Sequence, residues 1–330
     1  MLSDVMTANC SRREDGGLHR SWVAGSALAA VLAMVAIAAG CGADKDLGDA
    51  QTAQGAVSLG PALLSMDDLG AALRKSDAVI LIDTRGRGDY DAGHLEGSVS
   101  SPIDDLDPPV WAELDESMRS LLGERLAALG VREGVSLVAI DEGTRDGFAR
   151  AAHACWLVSL AGAGHCHVLE GGLDSWRSTG HELAMEPTEP TVEGSVTIAA
   201  RPATFADMEL MRAGVFDGRS SLVGVLDDPA APSIPGAWHV PLSGLVDDGG
   251  RVHREKLAGT VRDTGLMLES EAIVFGEGPR DGAAGWFLLG PASGFEGARL
   301  YPGGMRHWST HPHLPRTGGE MKESTDTALP

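Results

Sequence analysis

Three segments of the sequence occur twice, in the same order, with the second copy roughly 135 residues after the first. The pairs are 94–102 with 233–241, 139–149 with 274–284, and 168–176 with 300–308. Ordered repetition over such a distance is typical of a duplicated structural unit. The two copies are therefore expected to fold alike, which restricts the chain to two related domains.

Within each copy, short apolar runs alternate with stretches of helical periodicity. Such alternation is typical of β-α-β units, in which helices join parallel strands and pack on the sheet. The predicted fold class is α/β, with a mostly parallel sheet flanked by helices in each domain. In the first copy we predict strands at Val79–Asp83, Ser136–Ile140 and Cys166–Glu170, and helices near 66–75, 112–129, 147–161 and from Leu173. In the second copy we predict strands at Ser221–Leu226, Ala272–Phe275 and Ala298–Tyr301.

The domain boundaries follow changes in composition. At 330 residues the chain accommodates two domains of ordinary size. A segment rich in Pro, Thr and Glu separates the copies, and a Gly/Glu/Thr/Lys-rich segment follows the second. We expect the first domain at 61–183, a linker at 184–202, the second domain at 203–315, and a disordered tail at 316–330.

The first 41 residues have the pattern of an export signal. Arg12, Arg13 and Arg20 precede the uncharged, apolar stretch Ser21–Gly40, and Cys41 follows it directly. The end of the stretch resembles a bacterial lipobox with Cys41 as the lipidated residue, although an alanine stands where a larger aliphatic residue is usual. An uncleaved membrane anchor and a buried core helix are the other two interpretations. We expect an exported, membrane-anchored lipoprotein that faces the periplasm or cell envelope, with 42–60 as a tether.

The charge balance excludes some classes of partner. The net charge is -21, the pI is about 4.8, and 22% of the residues are charged. Nucleic-acid binding requires clustered Lys and Arg, so neither DNA nor RNA is an expected partner. Surface charge would not hold the protein on anionic lipid either, which leaves Cys41 or the N-terminal segment as the expected membrane contact.

One signature in the first copy resembles that of the rhodanese family. The predicted strand ends in Asp83-Thr84-Arg85, and residues 89–97 read Asp-Tyr-Asp-Ala-Gly-His-Leu-Glu-Gly. A Gly-Gly-x-x-x-Trp motif follows in both copies, although the second has lost the Asp-x-Arg and the histidine. Together the copies span about 60 to 315, so the chain resembles a tandem-domain rhodanese with a degenerate second domain.

The resemblance implies transfer of a sulfane sulfur through a persulfide on a loop cysteine. In the family this cysteine follows a strand, in a loop whose N–H groups stabilise the thiolate and bind an anionic donor. Here the nucleophile positions hold Asp141 and Gly276, and neither loop contains cysteine. The loops supply the candidate residues for binding an anion or a partner: Glu142, Gly143, Thr144 and Arg145 in the first, and Glu277, Gly278 and Arg280 in the second.

Two other cysteines lie in the first domain. Cys155 falls within a predicted helix and Cys166 begins a predicted strand, both contexts typical of structural cysteines. The sequence is compatible with a disulfide between them and with two separate thiols. We therefore expect a catalytically impaired homologue that acts as a binding or scaffold module for a small sulfur anion or a protein. The alternative is an active thiosulfate or mercaptopyruvate sulfurtransferase with its persulfide on a non-loop cysteine.

No metal or cofactor site is expected. His165 and His167 flank Cys166 on a strand, where alternation would direct both imidazoles away from the thiol. His307, His311 and His313 cluster near the C-terminus and are interpreted as a surface loop. No nucleotide-binding glycine motif and no serine-hydrolase motif occurs in the sequence.

Overall fold

A computed structural model describes residues 61–75, 79–102, 114–162, 164–190, 192–218, 220–266 and 271–318. All of them belong to one compact unit of the chain. The predicted signal sequence, the tether and most of the predicted tail lie outside the described residues. No helix within the described ranges is long and apolar enough to cross a membrane.

The first half forms a five-stranded parallel sheet with strand order β1-β5-β4-β2-β3. Its strands are β1 (Leu63–Leu64), β2 (Val79–Asp83), β3 (Ser98–Ser100), β4 (Val135–Ile140) and β5 (Gly164–Leu169). Its described helices are α1 (Met66–Lys75), α2 (Arg87–Asp91), α3 (Glu116–Ala128), α4 (Arg145–Leu160) and α5 (Gly172–Ser178).

The second half repeats the arrangement with a four-stranded parallel sheet of order β7-β6-β8-β9. Its strands are β6 (Ser221–Val225), β7 (Trp238–His239), β8 (Ala272–Gly276) and β9 (Ala298–Leu300). Its described helices are α6 (Met208–Asp217), α7 (Leu242–Leu245), α8 (Arg254–Asp263), α9 (Pro279–Leu289) and α10 (Gly304–Trp308). The predicted α/β fold with two parallel sheets is confirmed.

The largest hydrophobic core is centred on α4 and α9, which pack against each other between the two sheets. Both helices are buried around most of their circumference, as expected of a helix that is apolar on all sides. The rings of Phe148 and Phe287 meet edge to face with centroids 6.0 Å apart. The two halves therefore share one continuous core.

The predicted linker 184–202 packs along the first half. Ala184 exchanges two backbone hydrogen bonds with His94, and Ser195 donates to the carbonyl of Val131 at 3.0 Å. At the other end of the described chain, Thr317 exchanges two backbone hydrogen bonds with Ser233, both of 2.8 Å. The ordered chain thus continues past 315.

The signature residues of the first copy brace the turn that follows β2. Arg85 forms a buried bidentate ion pair with Asp83, with Nε and Nη2 at 2.9 and 2.7 Å from the carboxylate, and it also donates to the carbonyl of Gly93. His94 stacks on Tyr90, with centroids 3.8 Å apart, and its ring nitrogens contact the carbonyls of Tyr90 and Glu186. These side chains have a structural role.

We predict that Asp83→Ala lowers the free energy of unfolding by about 3–5 kcal/mol, because it leaves the Arg85 guanidinium buried without its partner. The matched control is Asp91→Ala, which removes an exposed i,i+4 pair with Arg87 and is expected to cost at most about 0.5 kcal/mol. Urea unfolding of both variants measures the difference. Equal losses would contradict a structural role for the Asp83–Arg85 pair.

Candidate functional site

The first candidate loop joins β4 to α4. Its first residue, Asp141, is 1% exposed, and the carboxylate accepts the N–H of Gly143 at 2.6 Å. The same carboxylate lies against Gly147 in the first turn of α4. Backbone N–H groups and a helix N-terminus form a favourable environment for an anion. In this loop the chain's own carboxyl group, that of Asp141, occupies this position.

Burial controls the protonation of Asp141. Removal of the carboxylate from water raises its pKa from 3.8 to about 7, with Glu142 adding repulsion, against the hydrogen bond from Gly143 and the attraction of Arg150. The loop therefore contains a carboxyl group that changes charge near neutral pH.

The side chain of Glu142, the next residue, is fixed by contacts with two other side chains. It accepts a hydrogen bond from the Thr144 hydroxyl at 2.9 Å and forms an ion pair with Arg150. Burial alone would raise the pKa of Glu142, but the hydrogen bonds from Arg150 and Thr144 prevail and lower it. Arg150 also pairs with Asp146, so it links the loop to the first two turns of α4. Thr144 caps this helix by accepting the N–H of Gly147 at 3.0 Å.

The Gly-Gly turn before α5 closes over the loop from one side. The N–H groups of Leu173 and Asp174 donate to the carbonyls of Asp141 and Glu142 at 2.8 and 3.1 Å. Gly172 has a φ of +50°, and a Cβ there would lie 2.8 Å from the Asp141 carboxylate. Only glycine allows this approach.

A segment of the second half, 246–254, covers the loop from another side. Arg145 donates to the Val246 carbonyl at 2.9 Å and pairs with Asp248 at 2.5 Å. The adjacent Asp146 pairs with Arg150 instead. Further along the same segment, Arg254 pairs with Glu170 at 2.6 Å. The first loop is thus enclosed by contacts with both halves.

The second candidate loop, between β8 and α9, has no space for a side chain at its first position. A Cβ on Gly276 would overlap the backbone nitrogen of Gly282 and lie 2.7 Å from the Cβ of Asp281. Backbone atoms cannot yield as a flexible side chain can, so the closure is rigid. Burial raises the pKa of Asp281, which lies in the first turn of α9.

The remaining second-loop candidates follow the arrangement of the first. The Glu277 carbonyl accepts the N–H of Arg306 at 3.1 Å, as Glu142 accepts from Asp174, while the Glu277 side chain is exposed. Gly278 is the N-cap of α9, and Arg280 lies in its first turn. Gly304 has a φ of +55°, and a Cβ at this position would lie 2.6 Å from the carbonyl oxygen of Gly276.

Comparison with known proteins identifies the scaffold that carries the first of these loops. Residues 65–179 match the Rhodanese-like domain family. SseB of Mycobacterium tuberculosis, named as a thiosulfate sulfurtransferase, is 28% identical over 281 residues, which cover 78% of this chain and 96% of that protein. The thiosulfate sulfurtransferase of Azotobacter vinelandii is 26% identical over 277 residues, which cover 77% and 96%. Residues 65–179 belong to the rhodanese-like domain family.

A solved structure shows the same fold at greater distance. The anaerobic ergothioneine biosynthesis enzyme from Chlorobium limicola, in complex with trimethyl histidine, superposes with a TM-score of 0.65 over 78% of this chain and 70% of that one, at 19% identity. At that identity the likeness concerns the fold alone. The two-sheet rhodanese architecture therefore extends over most of the chain.

The two cysteines in this rhodanese scaffold that the structure describes form a disulfide. Cys155 on α4 and Cys166 on β5 are bonded, with Cα atoms 5.1 Å apart. His165 and His167 flank Cys166 on β5, and His167 Nδ1 contacts the Pro61 carbonyl at 2.9 Å. Burial is the main cause of the lowered pKa of His167. Neither described thiol is free.

The C-terminal histidines pack as rings. His307 Nδ1 lies 2.7 Å from the Tyr301 hydroxyl, His307 and His311 meet edge to face, and so do His311 and His313. Within the described ranges, no group of three or more His, Cys, Asp or Glu is arranged to hold a metal ion.

Sequence reasoning missed several residues that enclose the first loop. Arg150 was detectable, because it lies four positions after Asp146 on one helix face. The cover that 246–254 provides had no local signal, since Asp248 and Arg145 are about 100 residues apart in the chain.

We predict that Asp141→Asn removes a pH dependence of the free energy of unfolding. Since the folded-state pKa of about 7 exceeds the ordinary value of 3.8, the native state binds this proton more tightly, so stability falls as pH rises from about 4 to about 7. At pH 8 the variant should be more stable than wild type by roughly 2–4 kcal/mol.

Chemical unfolding between pH 4 and pH 8 measures this effect. Asp146→Asn, an exposed change in the first turn of α4, serves as the control and is expected to keep the wild-type pH dependence. If Asp141→Asn retained that dependence, the buried carboxyl would not be its source.

Proposed function

We propose that the protein is an extracytoplasmic, catalytically impaired rhodanese homologue that acts as a binding or scaffold module. The observation that carries the proposal is the state of the two loops, one filled by its own carboxylate and the other closed by its own backbone.

Sulfur transfer requires a thiolate that can accept a sulfur atom and become a persulfide. The Asp141 carboxylate cannot form one, and it already accepts the N–H group that would stabilise a persulfide. When charged, it also repels an anionic donor such as thiosulfate. The first loop thus lacks the nucleophile and opposes the substrate.

The second loop lacks both a nucleophile and the space for one. Restoring cysteine at Gly276 would require the start of α9 to move, because the Cβ overlaps the backbone of Gly282. The backbone around Gly276, and not only the residue at that position, is therefore incompatible with a cysteine nucleophile.

The alternative, a persulfide on a non-loop cysteine, has less support. Cys155 and Cys166 are bonded to each other and offer no thiolate in this state. Their disulfide instead agrees with an oxidising, extracytoplasmic compartment, as does the signal-like N-terminus.

A protein partner is favoured over a small sulfur anion. Arg145 and Arg150, the cations nearest the first loop, already pair with Asp248 and with Glu142 and Asp146. An anion would have to displace one of these carboxylates. We infer that the module binds a protein through a surface outside the loops.

Thiosulfate-to-cyanide transfer tests catalytic impairment. We expect the purified wild-type protein to give no turnover above background. Turnover that disappears in Cys155→Ser or Cys166→Ser would overturn the proposal in favour of the non-loop cysteine.

A pair of cysteine variants tests the closure of the second loop. We predict that Gly276→Cys lowers the melting temperature and restores no sulfur transfer, because its Cβ overlaps backbone. Gly278→Cys adds the same thiol two positions later, where the nearest atom is 3.7 Å away, and should leave stability nearly unchanged. A stable Gly276→Cys protein that transfers sulfur would show that the loop is open.

The fate of Cys41 tests export. We expect the protein to fractionate with membranes and Cys41→Ser to release it. Persistent membrane association of the variant would favour an uncleaved anchor, and a cytosolic wild-type protein would overturn the extracytoplasmic assignment.

A further inference from the structure

A cavity of about 490 Å³ lies where the two halves meet, away from both loops. The first half contributes the C-terminal part of α4 and the start of β5, and the second contributes α9 and the chain leading to β9. Aromatic side chains form much of its wall on the second-half side: Trp286, Phe287 and Phe295. Such a concave, largely apolar site fits a small organic molecule.

The Cys155–Cys166 disulfide forms part of the opposite wall. Cys155 is 1% exposed, whereas Cys166 is partly exposed. A molecule in the cavity can therefore approach the disulfide from the Cys166 side. A disulfide is an electrophile toward thiolates, which places a reactive bond within the cavity.

The polar groups of the cavity favour some ligands over others. Ser159 donates its proton to the Trp156 carbonyl at 2.6 Å, so the 2.9 Å contact with Thr204 is a hydrogen bond donated by Thr204. The two hydroxyls thus retain acceptor lone pairs. Glu296 adds an exposed carboxylate, and His165 and His167 add imidazoles, of which that of His167 has its pKa lowered by burial. The described lining residues include no Lys or Arg. This combination favours a neutral or cationic ligand.

We propose that this cavity is a thiol-exchange site that accepts a small neutral or cationic thiol. The thiolate attacks Cys166 Sγ and forms a mixed disulfide, while the Cys155–Cys166 bond breaks and Cys155 leaves as a thiolate. Cys155 then takes up the proton that the incoming thiol released. The protein disulfide and one thiol give one mixed disulfide and one protein thiol, without a further oxidant.

This exchange is independent of the proposed function. It moves no sulfane sulfur and uses neither loop, so it would stand whether or not the loops transfer sulfur.

Three thiols of similar size and different charge test the site. The folded full-length protein is incubated at low ionic strength with cysteamine, 2-mercaptoethanol or 2-mercaptoethanesulfonate, quenched with acid, alkylated with N-ethylmaleimide and mapped by peptide mass spectrometry. Each rate is divided by the rate of the same thiol with a free model disulfide, which removes differences in intrinsic nucleophilicity. We expect the added thiol on Cys166, N-ethylmaleimide on Cys155, and a corrected rate about three- to tenfold higher for cysteamine than for the sulfonate.

Glu296→Gln is the variant that isolates the charge effect. It should reduce the difference in corrected rate between cysteamine and 2-mercaptoethanesulfonate. Glu96→Gln, an exposed change outside the cavity lining, should preserve it. Equal corrected rates for the three thiols, addition at Cys155, or reaction only after denaturation would each overturn the proposal.

Discussion

The packing of α4 against α9 is the constraint on which the rest of the structure depends. Each helix begins directly after one of the two loops, so the contact that joins the halves also fixes both loop positions. Because α4 and α9 are buried on most sides, neither can shift without opening the shared core. Divergence in the loops therefore had to be accommodated within a rigid frame.

The two loops are closed by different physical interactions. In the first, a carboxylate occupies the N–H groups, and burial rather than a neighbouring charge sets its pKa near 7. In the second, the backbone of Gly276 and Gly282 has come so close that no Cβ fits between them. Both loops accept a hydrogen bond from the residue two positions after the Gly-Gly pair, from Asp174 to Glu142 in the first and from Arg306 to Glu277 in the second, and these bonds do not depend on the nucleophile.

The sequence predicted those parts of the fold that carry a local or repeated signal. Val79–Asp83 was predicted at its observed bounds, and Ala272–Phe275 was one residue short, because buried parallel strands are short apolar runs. The two-residue strands at Leu63–Leu64 and Trp238–His239 were missed, since two residues show no periodicity. The absence of a loop cysteine was evident from the repeat alignment alone.

Other features of the site depend on three-dimensional contacts that no local pattern encodes. The cover provided by 246–254 joins residues far apart in the chain. The sequence alone did not decide whether Cys155 and Cys166 form a disulfide, because the formation of this bond depends on how α4 lies over β5. The pairing of Arg145 with Asp248, in place of its neighbour Asp146, likewise follows from the docking of the second half.

We propose above all that the protein has lost sulfur transfer, and intact-protein mass spectrometry after incubation with thiosulfate tests this most directly. We expect an unchanged mass for the wild-type protein. A mass increase of one sulfur atom that cyanide removes would contradict the proposal, wherever in the chain the sulfur is mapped.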